Sequence, residues 1–209
     1  MSQITIGYSV NGGGLSIPRS VQREVDGQDS RGPITLAAGK AGTLSTRTDD
    51  NTGTLTLGGG HGITTGMIVD LYWTGGMRYD VTVGTVSGNS VPFDLGAGDN
   101  LPIATTAIVC APRTLINAAI DGDALAVLAV EVGYTLPNST GKGHVEFQDA
   151  ADDTIAELDL VANSPQVFDV TGTGTNPFTG DPITKIYASN GSSTEAATLK
   201  LIWGSDNTP

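Results

Sequence analysis

A single cysteine, Cys110, leaves this chain without an intrachain disulfide. It sits in the apolar run Ala107-Ile108-Val109-Cys110-Ala111 and reads as a small buried hydrophobe, not a reactive thiol. Basic residues are equally scarce: ten Lys and Arg face 22 Asp and Glu, for a net charge of −12. Nucleic acid and anionic membrane surfaces ask for clustered cations that displace counterions, so neither is expected as a partner. With only His61 and His144, a Ser-His-Asp triad has little room, and no Gly-x-Ser-x-Gly elbow occurs. Gly58-Gly59-Gly60 lacks the Gly-Lys-Ser/Thr that would anchor a nucleotide. No apolar run approaches the ~20 residues that cross a bilayer. Met1–Thr5 has neither a basic start nor a long apolar core, so no signal peptide is expected and the chain is expected to be made in the cytosol.

What is abundant is glycine, 29 of 209 residues, about twice the usual share. These glycines punctuate short Thr/Val/Ile/Leu runs, as turns separate strands. At 38% apolar, with mean hydropathy near zero, the chain is too hydrophobic for disorder. The expectation is all-β. Charge is unevenly spread: residues 1–112 have a net charge of −3 and residues 113–209 a net charge of −9. Such a split fits one half docking while the other faces water, and it equally fits a merely soluble surface.

Along the chain, Ile4-Thr5-Ile6-Gly7-Tyr8-Ser9-Val10 alternates with period two, and Asn11–Gly14 reads as a turn or hinge. Leu15-Ser16-Ile17 starts a second run, and Asp26-Gly27 reads as a further hairpin turn. Residues 1–32 are expected to form a hairpin or an arm that orders on a neighbour. From 33 to 112 strand signals recur at short spacing: Thr43–Thr48, Thr52–Leu57, Met67–Trp73, Met77–Val83, Val91–Phe93 and Thr105–Cys110. That pattern suggests a small β-barrel or sandwich. Charge and texture change at Pro112-Arg113. From 113 to 209, Ala124–Val132, His144–Phe147, Ile155–Leu160 and Gln166–Val170 read as strands, and Ile183–Ala188 is expected to pair with Ala196–Trp203 across Ser189–Ser193. A C-terminal antiparallel β-sandwich follows, with jelly-roll topology the leading expectation.

Candidate chemistry is sparse, and no catalytic, cofactor-binding or metal residue is assigned. His61 lies in a Gly-rich turn. His144 shares a strand face with Glu146, which makes two ligands where zinc needs more. Asp121/Asp123 and Asp149/Asp152/Asp153 are oxygen-rich but match no calcium-loop spacing, so they read as solvated turns. Asp70, Asp80 and Glu146 could supply paired carboxylates, as any acidic chain could. Tyr72, Trp73, Tyr79 and Trp203 could form a sugar-binding platform, but core packing is the better reading.

The runs Gly62–Trp73, Val81–Asn89 and Gly98–Pro102, rich in Gly, Thr and Val, resemble virion structural proteins of tailed bacteriophages. The likeness lies in texture across 34–112, and it extends to 113–209 in the same general way. No motif carries a functional residue across. The resemblance implies a non-enzymatic capsid decoration or cement protein, or a minor tail component. Such a protein would be made in the host cytoplasm, reside in the virion, contact the major capsid protein or other subunits, and form a homo-oligomer without cofactors. On that reading, deleting residues 1–32 should weaken assembly while both β domains stay folded. A carbohydrate-binding or adhesin module is the competing reading, and a hydrolase or lyase the third.

Overall fold

The computed structural model describes the backbone of residues 2–12, 15–25, 27–117, 126–138, 141–164, 166–169 and 183–206, and the side chains of 33–116, 133–138, 141–164 and 183–201. Among these the fold is all-β, with no helix.

Six strands close a barrel: β4 (Lys40–Arg47), β5 (Gly53–Leu57), β6 (Ile68–Trp73), β7 (Gly76–Val83), β8 (Ser90–Asp94) and β10 (Ala107–Pro112). The order β6-β10-β4-β5-β8-β7 returns to β6 through the β6–β7 pairing, and β9 (Ala97–Gly98) adds to β7. Alternate residues fill the interior, among them Leu44, Leu55, Val69, Leu71, Val81 and Phe93. Cys110 belongs to this core; burial pushes its thiol up to about 12, and the Asp70 charge adds to the shift. Closure leaves no sheet edge among these six strands to be protected.

Eight more strands form two stacked sheets: β3 (Gly27–Leu36), β11 (Thr114–Asn117), β12 (Ala126–Thr135), β13 (Lys142–Gln148), β14 (Thr154–Val161), β15 (Gln166–Asp169), β16 (Lys185–Asn190) and β17 (Ala197–Asp206). Their orders are β15-β12-β17-β3 and β11-β16-β13-β14. Counted along the chain as one to eight, the sheets read 1-8-3-6 and 2-7-4-5. First pairs with last, second with seventh, third with sixth and fourth with fifth, all antiparallel. This nested pairing is the jelly roll. Its core joins Leu199 and Leu201 of one sheet to Val145, Phe147, Leu158 and Ile186 of the other.

The barrel is therefore an insertion between the first and second jelly-roll strands. The boundary expected at 32/33 cuts through β3, which pairs with β17 from Gly27 to Leu36. The turn expected at Asp26-Gly27 is not formed by Gly27, which opens β3; Asp26 lies outside the described residues. A second expectation is overturned. Ile183–Ala188 does not pair with Ala196–Trp203, because β16 and β17 lie in different sheets. The Ser189–Ser193 segment is an arch between sheets, started by Asn190, whose Oδ1 accepts from Ser192 N at 2.9 Å. The expectations for Asp121 and Asp123 lie outside the described residues.

Ahead of β3, β1 (Ser2–Gly12) and β2 (Leu15–Val25) pair antiparallel over their full lengths. They form a two-stranded ribbon that pairs with no other described strand.

Candidate functional site

The chemistry-bearing residues converge where the barrel lies on the outer face of the β11-β16-β13-β14 sheet. Strand β13 explains why. His144, Glu146 and Gln148 alternate with Val145 and Phe147, a pattern that normally puts the polar set in water. Here all five are buried, because the apolar set faces the jelly-roll core and the polar set faces the barrel. Strand β6 mirrors it: Val69 and Leu71 enter the barrel core, while Asp70 and Tyr72 are buried outside it.

A bulge aims the barrel's side of the contact. Val69 opposes Val81 and Leu71 opposes Arg78, so two β7 residues, Tyr79 and Asp80, face the single residue Asp70. Bulges bend a strand and redirect its side chains. Asp80 takes φ 54°, and Asp70 Oδ1 accepts its N–H at 3.2 Å. The redirected Tyr79 ring stacks on His144, with centroids 4.2 Å apart and planes within 7°. Asp80 meets Arg113.

Arg113 is the one residue between β10 and β11, and hence between barrel and jelly roll. Its side chain is 6% exposed. It pairs with Asp80 on the barrel and Glu146 on the jelly roll, and lies 4.7 Å over the Tyr187 ring. Burial lowers its pKa, and Asp70 leads the neighbours that oppose the shift. Glu146 is fully buried but well supplied with donors: Arg113, the Thr154 hydroxyl, and Gln148 Nε2 at 2.9 Å. A buried carboxylate needs such compensation.

Asp70 anchors the other half of the contact. Ser189 Oγ donates to its Oδ2, so the Tyr72 hydroxyl, 2.5 Å from that Oγ, must be the donor to Ser189. Burial, followed by the Asp70 charge, holds the Tyr72 pKa well above its ordinary value and keeps this proton in place. His144 sits between carboxylates, Nδ1 3.4 Å from Asp70 Oδ2 and Nε2 3.7 Å from Glu157 Oε2. Neither ring nitrogen makes a hydrogen bond among the described residues. Ser189, His144 and Asp70 are the residue types of a nucleophilic triad, but the serine serves the carboxylate instead of the imidazole. His144 is 1% exposed, so this geometry holds two sheets together and gives a substrate no way in.

The second chain crossing, between β3 and β4, is fixed as tightly. Asn190 Nδ2 donates to the carbonyls of Leu36 at 3.4 Å and Ala37 at 3.3 Å, and Gly39 N to Ser192 O at 2.8 Å. Gly191 is required by close approach: a Cβ there would lie 2.6 Å from Lys142 O and 2.8 Å from the Tyr72 ring.

Two clefts of about 480 Å³ flank the contact. One is lined by Ile68, Asp80, Arg113, Gln148, Lys185 and Tyr187, the other by Tyr72, Trp73, Thr74, Lys142, Gly191 and Ser193. In the first, charges are matched within the protein, Arg113 with Asp80 and Lys185 with Asp152.

The remaining candidates are dispersed. His61 Nδ1 accepts from Ile63 N at 3.0 Å and its Nε2 lies 3.1 Å from Gly88 O, which makes it a loop brace. Asp149 Oδ1 accepts from Ala151 N and Asp153 N at 2.8 and 2.9 Å, closing the β13–β14 turn. Among the described residues no three His, Cys, Asp or Glu converge as a metal site. Tyr72 and Tyr79 are in the barrel–jelly-roll contact, Trp73 is half-buried, and the Trp203 side chain lies outside the described set. Sequence reasoning brought up Asp70, Asp80 and Glu146 as loose carboxylates but missed Arg113 and Ser189, which organise them. The available signal was Arg113 itself, the only cation between Arg78 and Lys142, placed between two strands.

Fold and site together define an all-β protein: a jelly roll carrying an inserted six-stranded barrel, joined through a buried polar network. Compared with known protein families, curated proteins and solved structures, the chain matches none.

Proposed function

We propose that this chain is a structural subunit of a virion, most simply a capsid decoration or cement protein that stabilises a head through protein–protein contacts. The observation that carries the reading is the β1–β2 ribbon. Eleven-residue strands pair with each other and with no third described strand. An isolated hairpin is marginal in water, so a ribbon of this length is suited to order against a neighbour. The barrel and jelly roll supply a firm body to hold it, since the titratable cluster between them is spent on fixation. The partners are the major capsid protein or other virion subunits and further copies of the chain.

Because β3 belongs to the jelly roll, the arm ends at Val25, and a deletion of 1–32 would remove part of a sheet. The suitable variant lacks residues 1–25. The test is gold labelling, with antibody to the chain, of virus particles purified from cultures that produce it. Regularly spaced label on heads is expected, reduced to background when only the truncated chain is supplied. Protein found wholly in the soluble fraction, with bare particles, would contradict the proposal.

A carbohydrate-binding reading is favoured by one feature, the half-buried Trp73 in a cleft with Thr74, Lys142 and Ser193. Glycan-array binding that disappears in Trp73→Ala would support it over the structural role.

A further inference from the structure

The ribbon's register sorts its sequence by face. Ile4 opposes Arg23, Ile6 opposes Val21, Tyr8 opposes Arg19 and Val10 opposes Ile17. Directly opposed residues share a face, so these positions lie together. The alternate positions pair Gln3 with Glu24, Thr5 with Gln22, Gly7 with Ser20 and Asn11 with Ser16. One face is thus apolar with two arginines, and the other is polar. A slip of one residue would scramble this division, so the register itself is specified by it.

We infer that this apolar, arginine-bearing face docks on the acidic jelly roll of a second copy of the chain, along the open edge of β14. The inference rests on the assembly reading above and names its partner. Charge complementarity selects the occupant. The ribbon, with Arg19, Arg23 and Glu24, is net positive, whereas residues 113–209 have a net charge of −9. Strand β14 pairs only with β13 among the described residues, so its other edge is free to receive a neighbour. Its outward positions are Glu157, Asp159 and Val161, alternating with core residues Leu158 and Leu160. The Glu157 side chain is 46% exposed and Val161 49%, which offers carboxylates and an apolar contact to a ribbon bearing guanidinium and apolar groups.

Strand order favours a second copy over the chain's own β14. The ribbon enters β3 at Gly27, and β3 lies beside β16, whose Asn190 donates to Leu36 at the other end of the strand. Strand β14 lies beyond β13 on the far side of β16 in that sheet.

The test is the solution mass of the full chain by light scattering, across concentration. A dimer or larger closed species is expected. The double variant Ile6→Asp/Val21→Asp, on the apolar face, should be monomeric, while Thr5→Asp/Gln22→Asp, on the polar face, should keep the wild-type mass. Arg19→Glu/Arg23→Glu should weaken association by about tenfold or more. Mixing it with an Asp159→Arg chain should restore a mixed species. Circular dichroism on every variant confirms that the β body is intact. A monomeric full chain, apolar-face variants of unchanged mass, or charge reversals that do not rescue each other would each overturn the inference. The two proposals fail separately. Labelled particles with a monomeric chain would remove this one alone, and an oligomer absent from particles would remove only the virion role.

Discussion

The barrel–jelly-roll contact and the β1–β2 ribbon both present strand faces beyond the two cores, and they are finished in opposite ways. At the contact, polar groups on both sides are matched within the chain: Arg113 to Asp80 and Glu146, and Tyr72 to Ser189 to Asp70. In the ribbon, positions that alternate apolar along one face pair with no third described strand, although β1 approaches β3 and β2 approaches β17. A polar contact of this kind adds little net stability over a greasy one, but it penalises every misaligned arrangement, because each unpaired buried charge is costly. On the proposed reading, the chain fixes its own geometry with charge and keeps the ribbon for association. An inserted domain held this way has little freedom to swing, which suits the proposed role of displaying a ribbon.

Substitutions can break or sharpen that contrast. The largest effect is expected from Arg113→Ala, which leaves Glu146 buried and unpaired. Unfolding free energy should drop by about 3–5 kcal/mol in denaturant titration. Replacing the pair with apolar residues, as in Arg113→Met/Glu146→Leu, should recover much of it. Gly191→Ala comes next. Its Cβ would press on Lys142 O and the Tyr72 ring, so a loss of about 1–3 kcal/mol is expected by the same titration.

A pH dependence ranks third. Burial, followed by the charges of Asp159 and Glu157, pushes Tyr79 up to about 12 from an ordinary value of 10.0. The folded state holds this proton more tightly, so the stabilisation is whole below pH 10 and is lost as pH rises through about 12. Melting temperature should fall across that window, and Tyr79→Phe, which keeps the stack on His144, should fall less steeply. The smallest effect belongs to Ile103→Ser. That side chain is 79% exposed, so stability should change by no more than about 0.5 kcal/mol.

Much of the architecture was legible because strand and turn chemistry are local. The Thr74-Gly75 turn between Trp73 and Gly76, the acidic turn after Gln148 and the β4–β5 hairpin all follow from short-range signals. Long-range pairing was not. Nothing near Gly27–Leu36 announces that this strand joins one from the other end of the chain, and the Ser/Gly-rich arch after Ser189 looks like a hairpin turn. The buried contact was hidden for a related reason. His144-Val145-Glu146-Phe147 alternates as a strand with one wet face does, and only the inserted barrel turns that wet face into an interior. Asp70, inside the apolar run Met67–Trp73, was a residue whose polarity disagreed with its surroundings.

Hydrogen exchange read by mass spectrometry, on the full chain at low and high concentration, tests both halves of the contrast at once. The account predicts that amides of 142–148 are protected at either concentration, while those of 2–25 exchange quickly in dilute solution and become protected as the chain associates. Rapid exchange at 142–148, or ribbon protection that ignores concentration, would contradict it.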